Sequence, residues 1–268
     1  MFPYIDIGII KIPMYGVMMA AGTLIGSALA IIRAHKRKLL FENMIIMIAC
    51  AMGFAILGAV LLYTFVSYTP GEILSMIRLG QWRLLFGGLV FYGGLIGSVL
   101  GAFVGSLIAK ADLRDYLDAA VPAVPLGHAF GRVGCFLAGC CYGRPTDSSI
   151  GVIYTQSIGG APTGIRLLPI QLFEAGADIL IFIILMIVSH KAKSKYTTTF
   201  LYFIMYGTVR FILEFFRYDS IRGIAGGLST SQWISLGLIF FSLLFLLLYR
   251  IWKTKEKKKN HCDAKLAD

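Results

Sequence analysis

Residues 131–143 read GRVGCFLAGCCYG and lie in a strongly apolar part of the chain. They place one arginine, four glycines and three cysteines close together. An arginine at membrane depth costs about 2.5–3.5 kcal/mol on insertion scales, so it is retained mainly where it serves a function. This stretch therefore indicates a helical membrane protein with a functional site around Arg132.

The composition supports this class. The chain has 268 residues, of which 57% are hydrophobic and 15% are charged, whereas a soluble domain carries about 25% charged residues. A net charge of +11 would indicate nucleic-acid binding in a soluble protein. Here the basic residues cluster between apolar segments and in the tail, which is the pattern that orients membrane proteins. We expect an all-α integral membrane protein without a nucleic-acid partner.

The apolar segments predict seven transmembrane helices, because a span needs about 20 mostly apolar residues. The predicted spans are Ile12–Ile32, Asn43–Val66, Leu84–Ala109, Ala119 to about Cys141, Ile170–Ser189, Tyr196–Phe216 and Ser231–Tyr249. We expect residues 1–252 to form the transmembrane catalytic domain and residues 253–268 a basic cytoplasmic tail. The segment from 142 to 169 is polar and rich in Gly and Pro, which predicts a loop with short strand or helix pieces.

The basic loop residues predict the orientation. Those assigned to the cytoplasmic side are Arg33, Lys36, Arg37, Lys38, Lys110, Arg114, Lys191, Lys193, Lys195, Arg250, Lys253, Lys255, Lys257, Lys258 and Lys259. Fewer lie on the other side, namely Arg78, Arg83, Arg144, Arg166 and Arg222. The excess of positive charge on one side places the N-terminus outside and the C-terminus in the cytoplasm.

Small residues predict close helix packing. Glycine recurs every fourth residue in the third span, at Gly93, Gly97, Gly101 and Gly105. Gly22 and Gly26 have the same spacing in the first span. Such stripes allow the backbone of another helix to approach closely.

Polar residues inside the spans predict a buried charged site. In the sixth span Tyr206, Arg210, Glu214 and Arg217 share one helix face. Arg210 and Glu214 can form an ion pair, which lowers the cost of burying both charges. The alternative is a purely structural pair that joins helices.

The fourth and fifth spans add to this site. Gln171, Glu174 and Asp178 share a face of the fifth span and can balance the charge of Arg132 or of Arg166, in a structural role as readily as a catalytic one. His128 lies one turn before Arg132, and we interpret it as a hydrogen-bonded spacer rather than a base. Because guanidinium groups bind phosphate in a bidentate manner, the arginines indicate a site for an anion such as a phospholipid headgroup.

The order of these motifs resembles the prolipoprotein diacylglyceryl transferase family along nearly the whole chain. The matching segments are IPMYG at 12–16, YGGLIG at 92–97, Asp118 with Pro122, GRVGCF at 131–136, PIQLFE at 169–174 and GTVRFILEFFR at 207–217. The family transfers diacylglyceryl from phosphatidylglycerol to the lipobox cysteine thiol of prolipoproteins and releases glycerol phosphate. The resemblance therefore implies an enzyme of the bacterial plasma (inner) membrane, with phosphatidylglycerol and prolipoprotein signal peptides as partners and no cofactor.

The resemblance also implies roles for individual residues. Arg132 and Arg210 would hold the lipid phosphate, Glu214 would orient Arg210, and Tyr92 completes the expected catalytic set. The residues expected to bind substrate are Tyr15, Gly93, Gly94, Gly131, Gly134, Cys135, Cys140, Gln171 and Glu174. Tyr15 would donate a hydrogen bond to the headgroup.

The sequence departs from the family pattern at three places. The family histidine before Gly-Gly is Tyr92, the asparagine after Arg-x-Gly is Cys135, and the Asn-Gly-Glu step is residues 138–140, Ala-Gly-Cys. Tyr92 would act as a base or as a hydrogen-bond donor.

The cysteines of the motif allow three interpretations. Cys135, Cys140 and Cys141 can be packing residues with one disulfide, ligands of a metal with His128, or redox or covalent participants. We expect packing and predict no metal. The lipobox-like residues 137–140, Leu-Ala-Gly-Cys, lie mid-chain and are interpreted as a coincidence.

Two functional alternatives stay open. The chain can be a divergent family member that acts on another thiol or acceptor. It can also be a non-catalytic lipid- or anion-binding membrane protein, or a transporter, although the sequence contains no convincing internal repeat of the kind that transporters use.

Overall fold

The computed structural model of the chain describes residues 2–8, 10–191, 196–218 and 223–267. The helices are α1 (Met14–Lys36), α2 (Phe41–Ser67), α3 (Pro70–Arg78), α4 (Trp82–Leu85), α5 (Phe91–Ile108), α6 (Leu113–Ala120), α7 (Ala123–Ala138), α8 (Ile170–Lys191), α9 (Thr197–Glu214) and α10 (Thr230–Ala267). Of the loop residues used to predict orientation, Lys193, Lys195 and Arg222 lie outside the described residues.

Within the described residues, three small antiparallel hairpins accompany the helices. They pair β1 (Tyr4–Ile7) with β2 (Ile10–Pro13), β3 (Val152–Ile153) with β4 (Arg166–Leu167), and β5 (Ile224–Ala225) with β6 (Leu228–Ser229). The second hairpin confirms the short strands expected between residues 142 and 169.

The helices have the composition of membrane spans. Among the described residues four are long and apolar enough to cross a bilayer: Met14–Lys36, Phe41–Ser67, Ile170–His190 and Thr230–Lys255. The number of candidate spans rises to five if α6 and α7 together form one broken span. Helix α5 is also apolar but is shorter than these helices. The protein is therefore a mostly helical, multi-pass membrane protein, because helices satisfy their backbone hydrogen bonds without water.

The third predicted span begins later than the sequence indicated. The prediction placed its start at Leu84, but α4 ends at Leu85 and α5 begins at Phe91. The Thr64 hydroxyl donates to the Leu85 carbonyl at 2.9 Å, and the Val90 N–H donates to the Ala59 carbonyl at 3.1 Å. These groups bond to α2, so the intervening backbone does not continue as a helix.

The first and fourth predicted spans also differ from the observed helices. Ile12 and Pro13 belong to β2, and the Met14 N–H extends that pairing to the Pro3 carbonyl at 2.9 Å, so α1 starts at Met14. The fourth predicted span is interrupted between Ala120 and Ala123. At the other end of the chain, α10 continues past the predicted span into the predicted tail, as far as Ala267.

The chain divides into two compact units, of which the second is Leu29–Ala120. In this unit α5 packs along α2. A Cβ atom on Gly97 would overlap the Phe54 carbonyl oxygen, and one on Gly101 would overlap the Cys50 carbonyl oxygen. The glycine stripe is therefore a close-packing surface, as predicted.

Arg33 also belongs to the second unit and is not a free loop residue. It lies within the last turns of α1 and is buried. Its Nε atom donates to the Ala119 carbonyl at 2.8 Å. An arginine at this position satisfies a carbonyl that the end of α6 would otherwise leave unpaired.

The first unit is Met1–Ala28 with Val121–Asp268. Within it α7 packs on α8, α8 on α9, and α9 on α10. Its apolar core includes Val121, Ile181, Leu185 and Tyr202. A Cβ atom on Gly22 would lie 2.7 Å from the Gly127 carbonyl oxygen, so the beginning of α1 contacts the backbone of α7. The polar residues of the candidate site lie on these helices.

We expect Gly97→Ala to destabilise the protein, because the added methyl group overlaps the Phe54 carbonyl oxygen. Overpacking of this kind costs about 1–3 kcal/mol. Thermal unfolding in detergent, followed by circular dichroism, should show a lower midpoint. Gly53→Ala on α2 is the matched control, since a Cβ atom there meets nothing within 4 Å. Equal midpoints for the two variants would contradict the packing described.

Candidate functional site

One buried carboxylate joins three helices at the centre of the first unit. Glu174 on α8 pairs through Oε2 with Arg132 Nη1 on α7 at 2.8 Å. Its Oε1 pairs with Arg210 Nη1 on α9. The side chains of both arginines are at most 13% exposed. The pairing of Arg132 with the acidic face of α8 agrees with the sequence-based expectation.

A second carboxylate continues this network along α9. Glu214 Oε2 lies 2.6 Å from Arg210 Nη2 and 3.8 Å from Arg217 Nη1. Arg210 Nη2 also donates to the Ser231 hydroxyl of α10 at 3.3 Å. The predicted pair of Arg210 and Glu214 is confirmed. We call Arg132, Glu174, Arg210, Glu214 and Arg217 the arginine network.

The arginine network gathers three guanidinium groups around Glu174 and Glu214. Arginine does not lose its proton in proteins. In the described part of the chain, the buried Nε of Arg132 has no hydrogen-bond partner. A buried donor without a partner is costly, so an anion bound here would satisfy this donor.

His128 occupies a neighbouring position. Its Nδ1 lies 3.4 Å from Asp178 Oδ2, which joins α7 to α8. Its ring also packs against Tyr206, with the ring centroids 5.3 Å apart. These contacts agree with the interpretation of His128 as a spacer.

Tyr15, in the first turn of α1, lies beside α7 within the first unit. Its side chain is exposed. A Cβ atom on Gly134 would lie 3.3 Å from the Tyr15 ring, so this glycine permits the approach of α7. At Gly131 a Cβ atom would meet the flexible Met19 sulfur at 3.0 Å. The structure thus brings together several of the predicted substrate-binding residues.

The loop that follows α7 is held from two sides. Gln171 is fully buried, and its Nε2 donates to the Cys140 carbonyl at 2.6 Å and to the Tyr154 hydroxyl at 3.1 Å. Burial raises the pKa of Tyr154 to about 12, so its hydroxyl keeps its proton. On the other side the Tyr218 N–H donates to the Tyr142 carbonyl at 3.1 Å, which ties the loop to the end of α9.

The predicted site residues Tyr92, Gly93 and Gly94 belong to the second unit. Tyr92 lies in the first turn of α5 with its side chain 41% exposed. A Cβ atom on Gly93 would overlap the Gly58 carbonyl oxygen, so Gly93 packs against α2. The role of Tyr92 in catalysis stays a prediction.

Sequence reasoning left three residues out of the predicted site. Cys141 and Arg217 were visible as part of the cysteine motif and of the polar face of α9. Tyr154 gave no signal, because it lies in a loop without periodicity and contacts Gln171 only through the tertiary fold.

A family model described as prolipoprotein diacylglyceryl transferase matches residues 3–248. The chain belongs to this family. A relative named phosphatidylglycerol–prolipoprotein diacylglyceryl transferase 2, from Clostridium perfringens, is 36% identical over 93% of this chain and 94% of its own length. One named phosphatidylglycerol–prolipoprotein diacylglyceryl transferase, from Clostridium tetani, is 38% identical over 87% of this chain and 92% of its own length.

The family assignment agrees with the position of the arginine network. Both arginines that the resemblance marked, Arg132 and Arg210, lie in it and share Glu174. In this member of the diacylglyceryl transferase family, Glu174 is therefore the residue that sets the relative positions of the two guanidinium groups.

We expect Glu174→Gln to destabilise the protein, because it leaves Arg132 and Arg210 without their shared carboxylate. Removing one partner of a buried ion pair costs about 3–5 kcal/mol. The measurement is the midpoint of thermal unfolding in detergent. Glu72→Gln is the control, since Glu72 lies exposed at the start of α3 and an amide there can still cap the helix. A midpoint for Glu174→Gln equal to that of the control would show that the shared carboxylate does not hold the helices together.

Proposed function

We propose that this protein transfers diacylglyceryl from phosphatidylglycerol to the lipobox cysteine thiol of prolipoproteins and releases glycerol phosphate. Family membership and the names of the relatives support this function. The observation that carries it is the buried Nε of Arg132, which has no hydrogen-bond partner among the described residues and lies in the arginine network. Guanidinium groups bind phosphate oxygens in a bidentate manner, so this network suits the phosphate of a lipid headgroup.

The phosphate is proposed to bind to Arg132 and Arg210. The thiol sulfur attacks the carbon of the diacylglyceryl group that is esterified to the phosphate. The bond between this carbon and the phosphate ester oxygen breaks, and its electron pair leaves with glycerol phosphate. The two guanidinium groups stabilise the negative charge that grows on this leaving group. Glu174 and Glu214 hold the guanidinium groups in place before substrate binds, so no reorganisation is needed during the reaction.

The thiol proton must leave before or during the attack, because the thiolate is the nucleophile. We propose that Tyr92 takes part in this step, either as the base that accepts the thiol proton or as a hydrogen-bond donor. Tyr15, near Arg132, is proposed to hydrogen-bond the headgroup.

The proposed setting is the bacterial plasma membrane. We propose seven spans within residues 1–252, with the N-terminus outside and the basic residues 253–268 in the cytoplasm. The apolar helices and the distribution of lysine and arginine support this arrangement.

The orientation can be tested with alkaline phosphatase, which is active only outside the cytoplasm. We expect a fusion after Ser148, in the exposed loop between α7 and α8, to be active. A fusion after Asp268 should be inactive, and a green fluorescent protein fused there should fluoresce. The reverse pattern would contradict the proposed orientation.

The function is tested by incubating purified protein with phosphatidylglycerol and a lipobox peptide, and following the peptide by mass spectrometry. We expect a mass gain of one diacylglyceryl group. Arg132→Ala and Arg210→Ala should each lower the rate by about 100-fold or more, since each removes a group that stabilises the transition-state charge. Arg114→Ala is the control. The Arg114 side chain is 61% exposed, and among the described residues its ion pair is with the nearby Asp112.

Retained activity in Arg210→Ala would contradict its assignment to the phosphate. A protein that binds phosphatidylglycerol without modifying the peptide would instead be a lipid-binding member of the family. Two variants test the role of Tyr92 in the same assay. If Tyr92 acts as a base, Tyr92→His should stay active and Tyr92→Phe should be inactive.

A further inference from the structure

Three thiol groups converge where α7 ends. The Sγ atoms of Cys135, Cys140 and Cys141 all lie within 4.8 Å of one another. The four cysteines whose side chains the structure describes, these three and Cys50, are free thiols. The cluster lies partly exposed at the surface of the first unit.

The backbone of the helix end brings the first two thiols together. Gly139 has a left-handed φ of 74°, the Cys140 N–H donates to the Cys135 carbonyl at 3.1 Å, and the Gly139 N–H donates to the Phe136 carbonyl at 3.3 Å. This is the Schellman pattern, in which the side chain after the glycine contacts the side chain one turn back in the helix. Here those two side chains are Cys140 and Cys135.

The third thiol is turned toward the first two by an unusual backbone conformation. Cys141 has a φ of 56°, in the left-handed region that residues other than glycine rarely occupy. Adjacent cysteines in an extended chain point to opposite sides, whereas this conformation lets both thiols face Cys135. The loop is held in that shape by the bond from Gln171 to the Cys140 carbonyl and by the bond from Tyr218 to Tyr142.

We propose that Cys135, Cys140 and Cys141 form a three-thiolate site for a soft metal ion of the Cu(I) class. Three sulfur atoms around one ion at a metal–sulfur distance of about 2.3 Å lie about 4.0 Å apart, which the cluster reaches with small rotations of the side chains. Thiolate sulfur selects soft ions such as Cu(I) and zinc.

The ligand number favours Cu(I) over zinc. Among the described residues no histidine, aspartate or glutamate joins the three cysteines. Three sulfur ligands complete a trigonal Cu(I) site, whereas a structural zinc site has four protein ligands. Binding releases the thiol protons to solvent and involves no change of oxidation state when the ion arrives as Cu(I).

The test of this site is independent of the proposed transfer reaction, because metal binding is measured without lipid or peptide. The test uses the full chain in detergent, reduced and then freed of reductant without oxygen. The protein is titrated with Cu(I) held by a chromophoric copper chelator. We expect one Cu(I) per chain, withdrawn from the chelator with the appearance of thiolate-to-copper absorption. Cys135→Ser, Cys140→Ser and Cys141→Ser should each weaken binding at least 100-fold, while Cys50→Ala on α2 should bind as the unchanged protein does.

Several outcomes would overturn the proposal. They are the absence of Cu(I) binding by the unchanged protein, binding that survives all three serine variants, and zinc bound in preference to Cu(I). The purified protein could also contain a disulfide within the cluster, seen as a decrease in its mass. If such a protein binds no Cu(I) after reduction, the cysteines form a structural disulfide instead of a metal site. Cu(I) binding by the unchanged protein tests the proposal directly. The test therefore remains valid even if a serine variant fails to fold.

Discussion

The carboxylate of Glu174 is the group on which the candidate site depends. An arginine among apolar helices is tolerated only with a counter-charge, and here one carboxylate serves two arginines from different helices. The contact therefore does two things at once. It lowers the cost of burying Arg132 and Arg210, and it sets the spacing between their guanidinium groups.

The network also contains a donor that an anion could use. Glu214 is shared by Arg210 and Arg217. The buried Nε of Arg132 lacks a hydrogen-bond partner in the described part of the chain. Because a buried donor without a partner is costly, an anion bound beside Arg132 would be stabilised by this nitrogen.

The end of α7 shows how a packing motif can create a metal-binding geometry. The glycine at 139 ends the helix in a left-handed conformation. That ending brings residues 135 and 140 into contact whatever their side chains are. Because both are cysteine here and a third follows, the same helix end that closes α7 also gathers three sulfur atoms.

Much of the architecture could be predicted from local patterns. Each of the seven apolar segments contains a helix, because the length and hydrophobicity of a segment are properties of that segment alone. The ion pair of Arg210 and Glu214 followed from their spacing of four residues on one helix. The start of α5 could not be predicted in this way, since it depends on two hydrogen bonds with α2: the Val90 N–H donates to the Ala59 carbonyl, and the Leu85 carbonyl accepts from the Thr64 hydroxyl.

The sequence by itself determined the membrane class, the family and the identity of the charged residues, because these follow from composition and from the order of motifs. Only the tertiary structure decided that Arg132 and Arg210 share Glu174, that Gln171 supports the loop at Cys140, and that three cysteines meet. The physical reason is that buried charges and helix ends are satisfied by whichever partner the packing brings within hydrogen-bonding distance. Where that partner lies on another helix, as Glu174 does for Arg132 and Arg210, no spacing along the chain encodes it.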